Sequence, residues 1–397
     1  MRIAFLSPLP PEQNGIADYA QAFCQAMESA SVKVFTPFRG KPLSAEPGQL
    51  YQQMSTVDWR DVDLVHVELG GGRSSEYLAL QWLEKCLPDM PVTATVHDPD
   101  RLVWKPTSLP AWLKRLPRSF YQALVLLLNP LTLADERRTA ARLSGMVTLT
   151  ATGAEALTRR MRLPHGKVRV MAHGNAQIPA TPLPTLPGIG PLKLLYFGFI
   201  YRGKGIEDLV DALAILVGNN PAVLDQIELT LAGGTQPDMA FGHRDDYLDS
   251  LRQRLQAQGL SRLRANWQLD IAPAAIPALV QAHHVMILPY RESARLSWLG
   301  QMRGTSGALS WAAACGRSVI ASDARAFAEE VSYGNGTVYP QGDCTALANE
   351  ILYLLTHPES LEERSHAAQR LGDERGWPHV AEQFRHMFLQ LAKRSTA

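Results

Sequence analysis

Short apolar runs alternate with longer stretches of helical periodicity along most of the chain. Runs rich in β-branched residues predict strands at Arg2–Ser7, Val32–Phe35, Leu64–Val67, Val92–Val96, Met146–Leu149 and Val168–Met171. Apolar residues at helical spacing between them predict helices at Ile16–Glu28 and Tyr77–Cys86. Strands that alternate with helices imply a mainly parallel sheet covered on both sides. After His173-Gly174 the pattern breaks: Asn175–Pro191 holds five prolines and can continue neither a helix nor a central strand. The alternation then restarts, with strands at Lys193–Phe197, Gln226–Ala232, Val285–Leu288 and Ser318–Ser322. Helices are predicted at Ile206–Val217, Tyr247–Gln258 and Ala308–Cys315.

This reads as an α/β protein of two Rossmann-like doubly wound domains: an N-terminal domain over 1–175, a proline-rich linker over 176–191, and a C-terminal domain over 192–376. In open sheets of this kind ligands bind beyond the carboxyl ends of the strands, so two such domains facing across a cleft would place the site in the cleft. The tail, 377–397, predicts one more helix, with Val380, Phe384, Met387, Phe388 and Leu391 close to helical spacing. Periodicity does not say which domain that helix covers.

Composition narrows the class. At 397 residues the chain is too long for one ordinary core, and its net charge of +1 argues against wholesale nucleic-acid binding. Cys24, Cys86, Cys315 and Cys344 stand far apart in no metal-ligand spacing, which suits reduced thiols in the cytoplasm. The amino terminus lacks the apolar stretch of a signal peptide, and the most apolar run, Ala123–Leu128, is too short to span a bilayer. The expectation is a cytoplasmic protein, either soluble or peripheral at the inner face of the membrane.

Gly198-Phe199-Ile200-Tyr201-Arg202-Gly203-Lys204-Gly205 lies between a strand and a helix. Its glycines permit close backbone approach, and Arg202 and Lys204 add positive charge where a diphosphate would sit; the alternative is an ordinary basic turn. Gly304-Thr305-Ser306-Gly307-Ala308 opens an apolar helix and offers either amides to phosphate or a plain N-cap. In the first half, Pro8–Ile16 is a long loop closing on Asn14-Gly15. His97 and Glu68 each stand at a strand's carboxyl end, where a structural role and a ligand role are both open, as are hinge and ligand roles for His173-Gly174. The dinucleotide fingerprint GxGxxG is absent after the first strand, which counts against a nicotinamide oxidoreductase.

Taken in order, these stretches resemble the retaining GT-B glycosyltransferases of family 4, a bacterial group that includes mannosyl- and glucosyltransferases of surface polysaccharides. The resemblance spans nearly the whole chain. It rests on NGIADY (Asn14–Tyr19), TVHD (Thr95–Asp98), HGN (His173–Asn175), GFIYRGKG (Gly198–Gly205), AAACGRSVIASD (Ala312–Asp323) and Gly376-Trp377. It implies a hexosyltransferase whose GDP- or UDP-linked donor is bound mainly by the second domain and whose glycan or lipid-linked acceptor is bound mainly by the first. Lys204 and Arg202 would hold the departing diphosphate, with no metal and no cofactor beyond the donor. Gly15, Ile16, Gly198, Gly203, Thr305, Ser306, Gly307 and Ala308 would contact its phosphates. His97 would contact the transferred sugar, and the last helix would cross back to the first domain.

The chain departs from the family pattern at two places. Alignment on Ala314-Cys315-Gly316 puts Arg303 and Trp311 where many members carry a glutamate pair, and Phe199 stands where an arginine is usual. Arg303, or Glu292 further upstream, would then have to meet the donor sugar. A catalytically silent member that binds nucleotide or glycan beside a partner enzyme is the competing expectation. Trp104–Arg118 mixes Lys105, Lys114, Arg115 and Arg118 with Trp104, Trp112 and Leu113, ahead of Tyr121–Leu128. Over 104–128 the chain therefore carries either a peripheral membrane contact or a buried helix with a solvated basic flank.

Overall fold

In the computed structural model, residues 1–12, 14–70, 72–104, 106–107, 117–234, 247–292 and 299–395 are described. The chain divides into two compact units: Met1–Gly174 with Arg295–Thr305 and Trp377–Ala397, and Asn175–Ala294 with Ser306–Gly376.

The first unit runs β1 (Arg2–Leu6), α1 (Gly15–Ser29), β2 (Lys33–Phe35), α2 (Pro47–Ser55), β3 (Leu64–Leu69) and α3 (Ser75–Cys86), followed by β4 (Val92–Val96), α4 (Arg118–Arg142), β5 (Gly145–Thr148), α5 (Ala151–Met161) and β6 (Val168–Val170). Its six strands are all parallel in the order β2-β1-β3-β4-β5-β6. Along β1 the side chains alternate between two cores. Ala4 and Leu6 join Met54, Trp82 and Leu83 on one face, while Ile3 and Phe5 join Phe23, Phe384 and Phe388 on the other.

The second unit runs β7 (Leu192–Phe197), α6 (Ile206–Asn219), β8 (Ile227–Gly233), α7 (Tyr247–Ala257), β9 (Arg264–Leu269), α8 (Ile276–Gln281) and β10 (Val285–Leu288), and then α9 (Gly307–Ala314), β11 (Ser318–Ser322), α10 (Phe327–Glu330), β12 (Gly336–Tyr339), α11 (Cys344–Thr356) and α12 (Glu359–Glu374). Its sheet is also parallel, ordered β12-β11-β10-β7-β8-β9, so the strand order reverses between β7 and β10. That gap is the switch point at which such folds leave a crevice.

The closing helix α13 (Trp377–Ser395) belongs to the first unit, where Phe384 meets Phe23 edge-on at 5.0 Å. Gly174 lies directly under the Trp377 ring; a Cβ there would fall 2.3 Å from it.

One stretch departs from the sequence expectation. Residues 299–305 fall inside the range 192–376 read as the second domain and in the structure lie in the first unit. Backbone contacts hold them there: the Arg303 N–H donates to the Pro99 carbonyl at 2.6 Å and the Gln301 N–H to the Asp100 carboxylate at 3.1 Å. The Leu299 carbonyl accepts from Arg101 at 2.9 Å. The helices α2, α4, α5, α8, α10, α11 and α12 and the strands β9 and β12 are also additions to the sequence reading. Of the stretch read as a membrane contact or a buried helix, Lys105, Trp112, Leu113, Lys114 and Arg115 lie outside the described residues.

The α13 core makes a stability prediction. Phe384 is fully buried, so Phe384→Ala should cost about 3–5 kcal/mol in urea unfolding of the first unit. Arg385→Ala, on the solvent side, should leave the unfolding midpoint where it is.

Candidate active site

In the second unit the site forms at the β7/β10 switch point. At Gly205 φ is +66°, and a Cβ would stand 1.6 Å from the Pro289 carbonyl oxygen, so only glycine lets the loop after β7 close on the end of β10. This closure aims Lys204 inward. Its side chain is 8% exposed, with Nζ 3.7 Å from the centroid of the Tyr290 ring and 5.2 Å from that of Tyr201. The Tyr290 hydroxyl lies 3.2 Å from Ser306 Oγ, and Ser306 caps α9 by accepting from the Ala308 N–H. Gly198 (φ +142°) passes the same hydroxyl, 3.5 Å from where its Cβ would be. Tyr290 thus gathers Gly198, Lys204, Ser306 and Ala308 into one cluster. Gly307 opens α9 and is exposed.

Among the described residues no carboxylate pairs with Lys204. A buried ammonium without a counter-charge is costly, and an aromatic face returns only about 2 kcal/mol of that cost. With the α9 N-terminus beside it, the cluster is built to receive an anion.

Arg202 lies elsewhere. It is exposed, stands over the Tyr247 ring at 5.3 Å and lines a pocket of about 410 Å³ with Gly203, Asp208, Asp211, Arg254 and Arg291. Here the charges are already matched: Arg291 pairs with Asp208 at 2.5 Å and Arg254 with Asp211 at 2.6 Å. Gly203 (φ +95°) faces open space. Glu292 is tied through its backbone N–H to Gln341 Oε1 at 2.8 Å.

In the first unit the equivalent reversal lies between β1 and β3. Asn14 caps α1, its Oδ1 accepting from the Ala17 N–H at 2.9 Å, and Gly15 begins the helix with nothing near its missing Cβ. Ile16 and His97 converge on Gly70, where a Cβ would come within 3.0 Å of Ile16 Cδ1 and 2.8 Å of His97 Cβ.

Behind His97 is a buried chain of polar groups. His97 Nε2 donates to Glu68 Oε2 at 2.6 Å, the other carboxylate oxygen lies 3.2 Å from His66 Nε2, and His66 also meets Thr93 and Thr95. Burial pushes the Glu68 carboxyl up, but hydrogen bonds and charge from His66 and His97 outweigh it and hold it down at about 2. A carboxylate can only accept, so Nε2 of His97 carries a proton, and whenever the ring is neutral Nδ1 is left as an acceptor. Tyr19 packs edge-on to the His97 ring at 4.8 Å, its own hydroxyl pushed well above its ordinary range by burial and by Glu68.

Arg303 and Thr305 belong to this unit. The Arg303 guanidinium donates to the Gln301 side chain and its carbonyl accepts from Thr150 Oγ1 at 3.2 Å; Thr305 is buried. Gly304 lets the segment's backbone press against the His97 carbonyl, 2.1 Å from its missing Cβ. The predicted residues therefore fall into two groups: Gly15, Ile16, His97, Arg303 and Thr305 in one unit, and the Lys204 cluster with Arg202, Gly203 and Glu292 in the other. Tyr290 and His66 were missed. The signal for Tyr290 was Pro289-Tyr290 directly after a strand at the switch point; His66 sits inside an apolar run and gave none.

Residues 191–357 match the family described as Glycosyl transferases group 1. No curated protein sequence matches the chain. Similar solved structures include HepE of Anabaena, crystallised with UDP and with UDP-glucose, at 17% identity and a TM-score of 0.67 over 98% of this chain and 100% of that one. Sucrose-phosphate synthase of Thermosynechococcus elongatus follows at 20% identity and 0.67, over 98% and 99%. The UDP-forming trehalose-phosphate synthase of Burkholderia xenovorans lies at 10% and 0.64, over 98% and 99%. At such identities the likeness carries the fold, and the fold is GT-B. The match to the glycosyl transferases of group 1 is confined to residues 191–357.

Glu68 yields a pH prediction. Its carboxyl titrates near 4.5 when free and near 2 when folded, so the stability it adds is complete above pH 4.5 and is lost as pH falls toward 2. Glu68→Gln should weaken the fold at pH 6, and its urea midpoint should fall less steeply than the wild type's between pH 5 and pH 3. Parallel curves would contradict the assignment.

Proposed function

We propose that this chain is a retaining family 4 glycosyltransferase that moves a hexose from a nucleotide-sugar to a glycan or lipid-linked acceptor in surface polysaccharide assembly. The observation that carries this reading is Lys204, a buried ammonium with no carboxylate partner among the described residues, set on Tyr290 beside the α9 N-terminus. Breaking the glycosidic bond leaves growing negative charge on a diphosphate. A fixed cation and the positive end of α9 stabilise that charge as it develops, so the task falls to protein groups rather than to a metal. Arg202, exposed and over Tyr247, contributes longer-range attraction to the donor.

His97 serves the transferred sugar. With Nε2 fixed by Glu68, its Nδ1 accepts a hydrogen bond from a sugar hydroxyl. The acceptor hydroxyl attacks from the face the diphosphate leaves, and the donor phosphate takes its proton, so no carboxylate nucleophile is needed. HepE's complexes with UDP and UDP-glucose favour UDP-glucose over GDP-mannose as the first donor to try.

A second reading, a silent member that binds nucleotide without transferring, is favoured by Arg303 and Trp311 at the glutamate positions; Trp311 is half-buried against the core of the second unit. One experiment separates the two. Purified protein is assayed for transfer and hydrolysis with UDP-glucose and GDP-mannose, alongside Lys204→Ala. Lys204→Ala should lower turnover about 10²–10³-fold and erase the thermal shift given by the nucleotide, with the folded baseline kept. Nucleotide binding by a wild type that neither transfers nor hydrolyses establishes the silent reading. An unaffected Lys204→Ala rate overturns both the role of Lys204 and the site.

A further inference from the structure

Lys204 is not the only cation on the Tyr290 ring. Arg325 is half-buried, and its guanidinium carbon lies 5.5 Å from the ring centroid, against 3.7 Å for Lys204 Nζ. The three residues come from three neighbouring strands: Lys204 follows β7, Tyr290 follows β10 and Arg325 follows β11. All three therefore stand at the carboxyl edge of one parallel sheet, where ligands of such folds bind.

The segment that carries Arg325 is fixed to Tyr290 on both sides of it. Ser322 Oγ donates to the Tyr290 carbonyl at 2.7 Å, and the Phe327 ring packs on the Tyr290 ring at 5.1 Å. The approach of Arg325 to the ring is set by these anchors rather than by the reach of a long side chain. Its backbone is in the left-handed region, at φ +56°. That conformation is costly for a residue with a Cβ and free for glycine, so stability alone would choose glycine here. Strain of this kind is kept where a side chain serves a site.

The loop after β7 places its other large side chains elsewhere. Phe199 lays its ring on Gly234, whose Cβ would come 3.1 Å from Phe199 Cε1, and Arg202 stands over Tyr247. Around Tyr290 the positive charge comes from Lys204 and Arg325. Burial pushes the Tyr290 hydroxyl up, but Lys204, Ser306 and Arg325 outweigh it and bring it below its ordinary value. Two like charges gathered at one ring repel each other, and an anion bound to both turns that repulsion into attraction. A diphosphate has acidic oxygens on two phosphorus atoms and can meet both cations at once. The guanidinium fork is suited to such oxygens, which it can bind in pairs.

We infer that Arg325 is the second cation of the donor site and holds the diphosphate together with Lys204. The inference rests on the transferase reading of the Lys204 cluster and adds to it a residue from another strand.

The test is calorimetric titration of the full chain with UDP and GDP and with their monophosphates, UMP and GMP. Wild type is compared with Arg325→Gly, Arg325→Lys and Lys204→Ala. Arg325→Gly should weaken binding of the preferred diphosphate about 10–100-fold and that of its monophosphate much less. It should also flatten the fall of affinity with salt, and Arg325→Lys should recover part of the loss. Because glycine accepts the backbone of position 325, the ligand-free Arg325→Gly protein should melt no lower than wild type. Should that variant fold poorly, Arg325→Asn, which tolerates the same backbone, takes its place. Undiminished affinity in Arg325→Gly beside lost affinity in Lys204→Ala overturns the inference and leaves the Lys204 site standing. An equal loss for diphosphate and monophosphate also overturns it, because Arg325 would then serve another part of the ligand. Undiminished affinity in both variants, or a wild type that binds neither UDP nor GDP, overturns this inference and the reading beneath it.

Discussion

The second unit is organised around a cation that no carboxylate matches among the described residues. Lys204 is buried on the ring of Tyr290, and the elements that hold it there share that one purpose. Gly205 adopts a left-handed conformation so that the loop can meet Pro289, Gly198 clears the Tyr290 hydroxyl, and Ser306 links that hydroxyl to the first turn of α9. The 410 Å³ pocket beside Arg202 shows the contrast. Arg254 and Arg291 there already face aspartates, so it has less demand for a ligand anion. Cavity and chemistry point to different places, and the chemistry is the better guide because burying an unmatched charge is the larger cost.

The first unit solves a different problem, the exact orientation of an imidazole. Glu68 lies in the protein interior between His66 and His97, and the aromatic rings of Phe5, Phe23, Phe384 and Phe388 surround His66. Two of those rings come from α13, far along the chain. The closing helix therefore does more than cover a sheet: it completes the apolar wall around His66, which meets the other oxygen of Glu68. Burial of Glu68 strengthens its bond to His97 and so helps fix the ring's orientation.

Much of this was legible in the sequence. The central strands are apolar runs buried on both faces, and the strand-then-glycine-then-helix order located Gly198, Lys204 and Gly205. The helical spacing of Phe384 and Phe388 marked α13. What escaped has physical causes. Strand β9, Arg-Ala-Asn-Trp-Gln-Leu, is an edge strand with charged, exposed positions, and α12 is so rich in charge that its periodicity is faint. Pro130 sits inside α4 and reads as a helix breaker, which hid a helix of 25 residues. The place of 299–305 in the first unit rests on backbone hydrogen bonds, for which residue types carry no signal. The pairing of His97 with Glu68 joins positions 29 residues apart and needed the β3–β4 register to be seen.

The central claim is that Lys204 and the α9 N-terminus form the diphosphate site, and it is tested most directly by a crystal structure of the chain with a bound nucleoside diphosphate. The account predicts a terminal phosphate oxygen within hydrogen-bonding distance of Lys204 Nζ, with the amides that open α9 turned toward it. A diphosphate lodged instead in the pocket of Arg202, Arg254 and Arg291, with Lys204 untouched, would contradict it.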